Sequence, residues 1–133
     1  MIFSTRSTYG LRAMINLAKR GKLGSVSLAV IAKEEKISLK YLERLFANLK
    51  KAGLVKAVKG ASGGYLLAKN SKQITIYDII KALEGKLSPF HCSSKNEKIF
   101  CSSLCRCEVT QVLVKVEQAI NSTLKDIKLN QLL

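Results

Sequence analysis

Four cysteines are the residues best suited to chemistry in this chain, and all of them lie in one short stretch, HCSSKNEKIFCSSLCRC. They are Cys92, Cys101, Cys105 and Cys107. Structural zinc sites usually contain C-x2-C knuckles, whereas this stretch reads C-x8-C-x3-C-x-C. Thiolates are soft ligands that suit zinc, copper(I) and iron–sulfur clusters. The spacing therefore disfavours a zinc ribbon and leaves a softer metal site or a redox site.

The residues around the thiols favour a bound cluster but leave a second chemistry open. Three cations lie in the stretch, at Lys95, Lys98 and Arg106. They favour thiolates and offset the negative charge of a thiolate-bound cluster. A reversible disulfide between peroxide-sensing thiols stays possible, because Cys105 and Cys107 are close in sequence. A cysteine hydrolase using His91 is disfavoured, because sequence neighbours rarely align as base and nucleophile and the chain has no second histidine.

Length and composition place these thiols in a single globular domain. The chain has 133 residues, 47% of them hydrophobic, and can form an ordinary core without disulfides. No signal peptide is visible at the start, and no apolar run approaches the roughly 18 residues of a membrane span. We therefore expect a cytoplasmic protein without a membrane partner. In that reducing compartment, clustered cysteines are more often a metal or redox site than a disulfide framework.

The charge points to nucleic acid. Twenty-three Lys and Arg residues oppose nine Asp and Glu residues, which gives a formal net charge of +14. This exceeds what solubility requires and creates a field that attracts polyanions. The cations are spread along the chain, which disfavours a membrane-binding helix. No set of residues suggests an enzyme or a small-molecule substrate.

Hydrophobic spacing predicts a helix-turn-helix. A first helix is expected over residues 5–20, with Ser4 or Thr5 as its cap. A second begins at Ser27 and a third runs from Ser38 to about Lys51, with only EKI between them. The third helix has a buried stripe and an outer face, the stripe formed by Leu42, Leu45, Phe46 and Leu49 and the face by Lys40, Glu43, Arg44 and Ala47.

A basic hairpin follows the third helix. The segment LVKAVKGASGGYLLAK reads as two short strands joined by a five-residue loop, Gly60 to Gly64, which contains three glycines. An ordinary glycine-rich hairpin is the alternative. The position after the third helix, together with Lys56 and Lys59, favours the wing of a winged helix.

The rest of the chain is expected to form two more helices around the cysteine stretch. TIYDIIKALEG predicts a fourth helix, and residues 86–107 show no periodicity. From Glu108 to about Ile127 apolar residues recur every three or four positions, at Leu113, Val116, Ile120, Leu124 and Ile127. Such a helix is about 30 Å long, which favours packing of part of its stripe against a second copy. The alternative is a helix folded back on its own domain.

These elements define a fold class and three regions. We expect a mainly α protein with a small β-hairpin, that is, a winged helix-turn-helix domain plus a long dimerisation helix. The expected regions are a DNA-binding domain at 1–85, a cysteine-rich cluster-binding loop at 86–107, and a dimerisation helix with its tail at 108–133. A twofold dimer would present two recognition helices to two half-sites of a palindrome.

The sequence resembles the bacterial winged-helix regulators typified by IscR, NsrR and CymR. The resemblance rests on STRSTYGLRAM, on ISLKYLERLFANLKKAGLVKAVKGASGGYLLAK and on ITIYDIIKALEG. It implies a homodimeric transcription regulator that binds double-stranded DNA. In members with three cysteines in this loop, it implies an iron–sulfur cluster whose state sets DNA affinity. CymR-like members without the cysteines answer to a partner enzyme, and in that case the thiols here would be incidental or redox-sensitive.

The resemblance also assigns ligands. Cys92, Cys101 and Cys107 match the cluster-binding trio, because C-x5-C followed directly by the long helix is the family arrangement. The fourth ligand stays open. Thr110 stands where IscR-like members have a histidine, Thr8 stands where NsrR-like members have an aspartate, and Cys105 could fill the vacancy. The cluster type, two-iron two-sulfur or four-iron four-sulfur, is undecided.

The expected DNA-binding residues lie on the third helix, in the wing and on the first helix. They are Ser38, Lys40, Tyr41, Glu43 and Arg44, then Lys59, Gly60 and Gly63, and Tyr9. Glu43 can accept a hydrogen bond from a cytosine amino group, while Lys40 and Arg44 can reach guanine or phosphate. Lys59 stands where the family often has an arginine for the minor groove.

Overall fold

The computed structural model describes residues 3–88 and 108–133. Within these ranges the chain forms five α-helices and one two-stranded antiparallel hairpin. The helices are α1 Thr5–Arg20, α2 Leu28–Glu35, α3 Leu39–Lys51, α4 Ile76–Glu84 and α5 Glu108–Asp126, and the strands are β1 Val55–Val58 and β2 Gly64–Leu67. Short 3-10 turns occupy Gly21–Leu23, Ser71–Gln73 and Leu129–Leu132. The expectation of a mainly α fold with a small hairpin is confirmed.

Local capping sets where the helices begin. The hydroxyls of Ser4, Ser27 and Ser38 each accept a hydrogen bond from a backbone N–H two or three residues further on. Thr75 and Asp78 form a reciprocal capping box at the start of α4. Each cap satisfies an amide that has no partner inside the helix. The helices therefore begin at the residues that the sequence predicts.

The core lies between α1, α3 and α4. The predicted stripe of α3 is buried throughout, at Leu42, Leu45, Phe46 and Leu49. The first turn of α1 contacts the last turn of α4, because the Ser7 hydroxyl donates to the Glu84 carboxylate at 2.6 Å. In the second turn of α1, a Cβ built on Gly10 would lie 2.2 Å from Leu83 Cδ1. A larger residue at position 10 would displace the Leu83 side chain, so glycine favours the close crossing of these two helices, which form the scaffold that carries α3.

A third segment joins the hairpin. The strands pair from Val55 opposite Leu67 to Val58 opposite Gly64. Because Gly64 pairs inside the ladder, the loop covers residues 59–63, one residue earlier than predicted. Val26 donates to Tyr65 O at 2.9 Å and accepts from Tyr65 N at 2.8 Å. The hairpin is thereby fastened to the chain that leads into α2.

The long helix α5 is covered at one end and open at the other. Leu124 and Ile127 pack against the core, and the fully buried Leu129 follows them. The Leu129 N–H donates to Ile74 O at 2.9 Å, so the tail of the chain lies beside the start of α4. Val109 and Val112 are 62% and 60% exposed. Among residues 3–88 and 108–133, the part of α5 that packs against the core is therefore its C-terminal end.

Candidate nucleic-acid interface

A three-residue turn joins α2 to α3. Lys36 has a φ of 55°, in the left-handed region, and its N–H donates to Ala32 O. Ile37 is 7% exposed, and its N–H also donates to Ala32 O, at 3.0 Å. Ser38 then caps α3. A lysine in the left-handed region costs about 1–2 kcal/mol, and the buried Ile37 holds the turn in place against that cost.

The outer face of α3 is exposed and mixed in charge. Lys40, Glu43 and Arg44 are all exposed, on the side opposite the buried stripe. The neighbouring Ala47 is exposed and short, which permits close approach of a partner. Among the residues described, the carboxylates in ion pairs are Glu34, Glu35 and Glu84, and Glu43 forms none. A free carboxylate therefore stands between two cations.

Tyr9 and Tyr41 form one contact between α1 and α3. Both are half-buried, and their ring centroids lie 6.0 Å apart at an interplanar angle of 87°. The Arg12 guanidinium lies 5.8 Å from the centroid of the Tyr9 ring. The Ser38 hydroxyl accepts a hydrogen bond from the Tyr41 N–H at 3.1 Å. This group holds the first turn of α3 against α1.

The wing tip is a tight glycine turn beside an exposed cation. Lys59 is exposed, and Gly60 has a φ of 114°, which favours glycine. A Cβ on Gly63 would lie 2.5 Å from Val58 O, so no side chain fits there. The Ser25 hydroxyl donates to Ser62 O at 2.7 Å and ties the tip to the preceding loop. Ser25 was not predicted from the sequence, because a single long-range hydrogen bond leaves no periodic signal.

Acidic groups on the α1–α2 side are held by arginines. Arg12 lies 3.1 Å from a Glu35 carboxylate oxygen and also donates to the Glu35 backbone O at 2.7 Å. Arg20 pairs with Glu34, and Asn16 donates to both glutamates. Lys19, Lys22 and Lys33 on the same side form no ion pair with the described residues, so much of the positive charge there is left uncompensated.

Glu84 anchors the end of α4, directly before residues 86–107, which are called the cysteine segment below. Its carboxylate accepts from Ser4 N at 3.0 Å, Ser4 Oγ at 2.5 Å and Ser7 Oγ at 2.6 Å, and lies 3.3 Å from Arg6. Burial raises the pKa of Glu84, but the hydrogen bonds from Ser4 and Ser7 and the charge of Arg6 outweigh it and bring the pKa below its usual value.

The four cysteines predicted as ligands, Cys92, Cys101, Cys105 and Cys107, lie outside the described residues. Of the two positions where the resemblance implies a fourth ligand in other members, Thr8 is exposed on α1 and Thr110 lies in the first turn of α5. Within residues 3–88 and 108–133, no three His, Cys, Asp or Glu side chains are grouped to hold a metal ion. Nor does any helix in those ranges have the length and apolar character needed to cross a membrane.

The short turn, the exposed face of α3 and the glycine wing define a winged helix-turn-helix protein. The family model described as "Rrf2: Iron-dependent Transcriptional regulator" matches residues 3–133. The chain therefore belongs to the Rrf2 family, and it is a DNA-binding transcription regulator of the IscR and CymR type. The relatives are named as transcriptional regulators, in agreement with the prediction that the chain is not an enzyme.

Individual relatives support this assignment. CymR of Bacillus subtilis is 48% identical over 89 residues, which cover 67% of this chain and 64% of CymR. IscR of Pectobacterium atrosepticum is 33% identical over 132 residues, 99% of this chain and 79% of that protein. The solved structure of B. subtilis CymR, described as the global cysteine regulator, matches with a TM-score of 0.80 and 36% identity over 99% of this chain and 95% of that one. T. potens IscR matches with a TM-score of 0.74 and 38% identity over 98% and 84%.

Proposed function

We propose that the protein is a homodimeric cytoplasmic regulator that binds palindromic DNA and whose affinity for DNA is set by an iron–sulfur cluster. The observation that carries the DNA-binding part is the unpaired Glu43 on the exposed, otherwise basic face of α3. A carboxylate near phosphates is unfavourable unless it accepts a hydrogen bond from a base. Glu43 is suited to read a cytosine amino group, while Lys40 and Arg44 bind guanine or phosphate.

The wing supplies a contact that does not depend on sequence. Lys59 is exposed next to Gly60, in a tip where glycines bring the backbone close to a partner. Such a cation neutralises a phosphate or enters the minor groove. Tyr9, Tyr41 and Ser38 hold the start of α3 in position, and Gly63 keeps the tip narrow. Reading and anchoring are thus divided between α3 and the wing.

The open half of α5 supports the homodimer. Val109, Val112 and Val116 recur at helical spacing and are 62%, 60% and 39% exposed. A second copy of the same helix would cover this row and place two α3 helices about a twofold axis. Two half-sites related by the same symmetry then make the DNA site palindromic.

The cysteine set suits an iron–sulfur cluster held by Cys92, Cys101 and Cys107. Three thiolates provide soft ligands, and Cys105 is the candidate for the open fourth position, since the hydroxyls of Thr8 and Thr110 are poor iron ligands. Glu84 anchors the segment on one side, and α5 begins directly after Cys107 on the other. When bound, the cluster supplies a redox-sensitive link, so these thiolates would hold the end of α4 and the start of α5 together.

The DNA-binding surface is tested by gel-shift titration of two variants on a duplex selected in vitro with the parent protein. Glu43→Ala is expected to relax the base preference at one position of each half-site. Lys59→Ala is expected to weaken binding to all sequences. If both variants bind every duplex as the parent does, the DNA-binding surface is assigned wrongly.

Cluster binding is tested by the visible spectrum of protein purified without oxygen, with iron and sulfide analysis. Absorbance in the visible range with bound iron and sulfide supports the cluster. A colourless protein without iron supports the second candidate, a regulator of the same fold controlled by a partner protein or by thiol oxidation. The 48% identity with CymR over 89 residues keeps that candidate in view.

A further inference from the structure

The turn after α1 carries the most exposed large apolar side chain among the residues described. Leu23 is 98% exposed, and Val109 comes next at 62%. Val109 lies on the open half of α5, for which a second copy is the proposed partner. Leu23 lies in the Gly21–Leu23 turn and has no such partner. Apolar surface that becomes covered on binding adds affinity in proportion to its area.

This turn is fastened to the wing. Two residues beyond Leu23, the Ser25 hydroxyl donates to Ser62 O in the wing tip at 2.7 Å. The next residue, Val26, exchanges two backbone hydrogen bonds with Tyr65 of β2, at 2.9 and 2.8 Å. Leu23 therefore stands at a fixed place beside the wing rather than on an independent loop.

The turn is also positively charged. Lys19 and Lys22 are exposed, and neither forms an ion pair with another residue of the described ranges. Their neighbour Arg20, by contrast, forms an ion pair with Glu34. Lys22 is three residues from Ser25, so the backbone separates them by at most about 11 Å. That distance is enough for Lys22 to reach a phosphate next to the one at the wing, because successive phosphates of one strand are separated by about 3.4 Å along the helix axis.

We propose that the Gly21–Leu23 turn is a second DNA-contacting tip next to the wing. Lys22 binds a phosphate flanking the one that the wing reaches, and Leu23 packs against the sugar at the edge of the minor groove. The inference rests on the proposed wing contact. The partner of this turn is the same DNA duplex that the wing contacts, because the turn is basic and is hydrogen-bonded to the wing through Ser25 and Val26. A contact with phosphate and sugar positions the protein and carries no base preference.

The test measures DNA affinity by fluorescence anisotropy at several salt concentrations, with the full chain and a labelled selected duplex. Lys22→Gln is expected to lower the slope of log affinity against log salt by about 1 and to weaken binding roughly five- to tenfold at 0.1 M salt. Leu23→Ala is expected to weaken binding about two- to fivefold with the slope unchanged. Lys72→Gln, which removes the same charge from the exposed Lys72 of the Ser71–Gln73 turn, is the matched control and should keep the parent slope.

A second duplex, shortened to end at the wing contact, tests whether the loss of affinity in Lys22→Gln comes from the flanking phosphate. On it the parent and Lys22→Gln should bind equally, because the flanking phosphate is absent. If Lys59→Ala weakens binding while Lys22→Gln and Leu23→Ala match the parent on the long duplex, the second tip is wrong and the proposed function stands. If Lys59→Ala has no effect, the wing contact itself fails, and the second tip fails with it. A change in sedimentation caused by Leu23→Ala, with unchanged DNA affinity, would assign Leu23 to a protein contact and also overturn the inference.

Discussion

Glu84 and Glu43 differ in role because their surroundings differ. Glu84 is nearly buried, with 6% of its side chain exposed, and its carboxylate binds two serine hydroxyls, a backbone N–H and Arg6. Glu43 is exposed and lacks an ion pair in the described ranges. The first is committed to structure, and the second is available to a partner. The side-chain type alone does not distinguish them.

Glu84→Gln should reduce stability at neutral pH. The net lowering of the pKa of Glu84 means that the folded state favours its ionised form. That contribution is present above the ordinary value of 4.5 and is lost as the pH falls through the lower folded pKa. Loss of charge-assisted hydrogen bonds should lower the free energy of unfolding by about 2 kcal/mol at pH 7.

Urea denaturation at pH 7, 5 and 3.5 checks this expectation. The difference between Glu84→Gln and the parent should be largest at pH 7 and smallest at pH 3.5. Glu43→Gln, at an exposed position, is the control and should change stability by less than about 0.5 kcal/mol. A deficit of Glu84→Gln that stays constant over this range would show that ionisation of Glu84 contributes nothing.

At the scale of elements, the predictable features are those set by near neighbours in sequence. The caps Ser27 and Ser38 act over two or three residues, and the stripe of α3 is a spacing within one helix. The pairing of Val26 with Tyr65 joins residues 39 positions apart through one isolated bridge. No periodicity encodes such a bridge. The same holds for Glu84 and Ser4, which are 80 positions apart.

In the candidate site, too, features set by sequence neighbours were predictable and features set by long-range contacts were not. Exposure of Lys40, Glu43 and Arg44 was predictable, because the stripe of α3 fixes the opposite face. The half-burial of Tyr41 was not, because it depends on where α1 places Tyr9. The one-residue error in the wing loop has a similar cause: Gly64 reads as loop by its type but pairs with Val58 in the ladder.

Gly64→Ala should displace the wing. A Cβ at this position would lie 2.3 Å from Val26 O, a backbone atom that cannot rotate away. We expect a loss of about 1–3 kcal/mol in stability and weaker DNA binding, because the hairpin must separate from the segment at Val26. Thermal denaturation and gel-shift titration measure both effects.

Gly21→Ala is the matched control for this substitution. Its Cβ meets nothing within 4 Å, and Gly21 has a helical φ of −62°. It should leave stability equal to or slightly above that of the parent. Parent-like stability of Gly64→Ala would mean that Val26 does not hold the wing.

At the scale of the whole molecule, the long helix divides between two tasks. Its C-terminal end, with Leu124, Ile127 and the following Leu129, packs against the core that also carries α3. Its N-terminal half presents the exposed row with Val112. If a second copy covers that row, any shift of α5 moves both α3 helices relative to each other. In the proposed dimer, this core contact would let the helix act as a rigid arm.

Val112→Glu should weaken the proposed dimer. A carboxylate placed in an apolar seam must be desolvated without a partner, so the dissociation constant should rise by at least about tenfold. Sedimentation over a range of protein concentrations measures the change. Val30→Glu introduces the same charge at another exposed valine, 40% exposed on α2, and should leave assembly unchanged. Equal assembly of both variants and the parent would move the dimer interface elsewhere.

The cysteine segment is expected to act on DNA through this arm. Ligation of Cys92, Cys101 and Cys107 would tie the end of α4, held by Glu84, to the start of α5, so loss of the cluster would free the two from each other. Coupling between two such sites is typically about 1–3 kcal/mol, or about five- to 150-fold in affinity. We expect a change of that size in DNA affinity, of either sign, when the cluster is lost.

Two cysteine variants separate the cluster from the dimer. Cys107→Ala should abolish the cluster, and Cys105→Ala should abolish it or make it labile, as measured by the visible spectrum and iron content. Sedimentation should show intact dimers in both, because the proposed seam uses Val112 and its neighbours. Ser94→Ala, in the same stretch, is the control and should retain the cluster. Protein with all four cysteines that reconstitutes no iron, and that binds DNA equally with and without a thiol oxidant, would refute the sensor role of the cysteine segment.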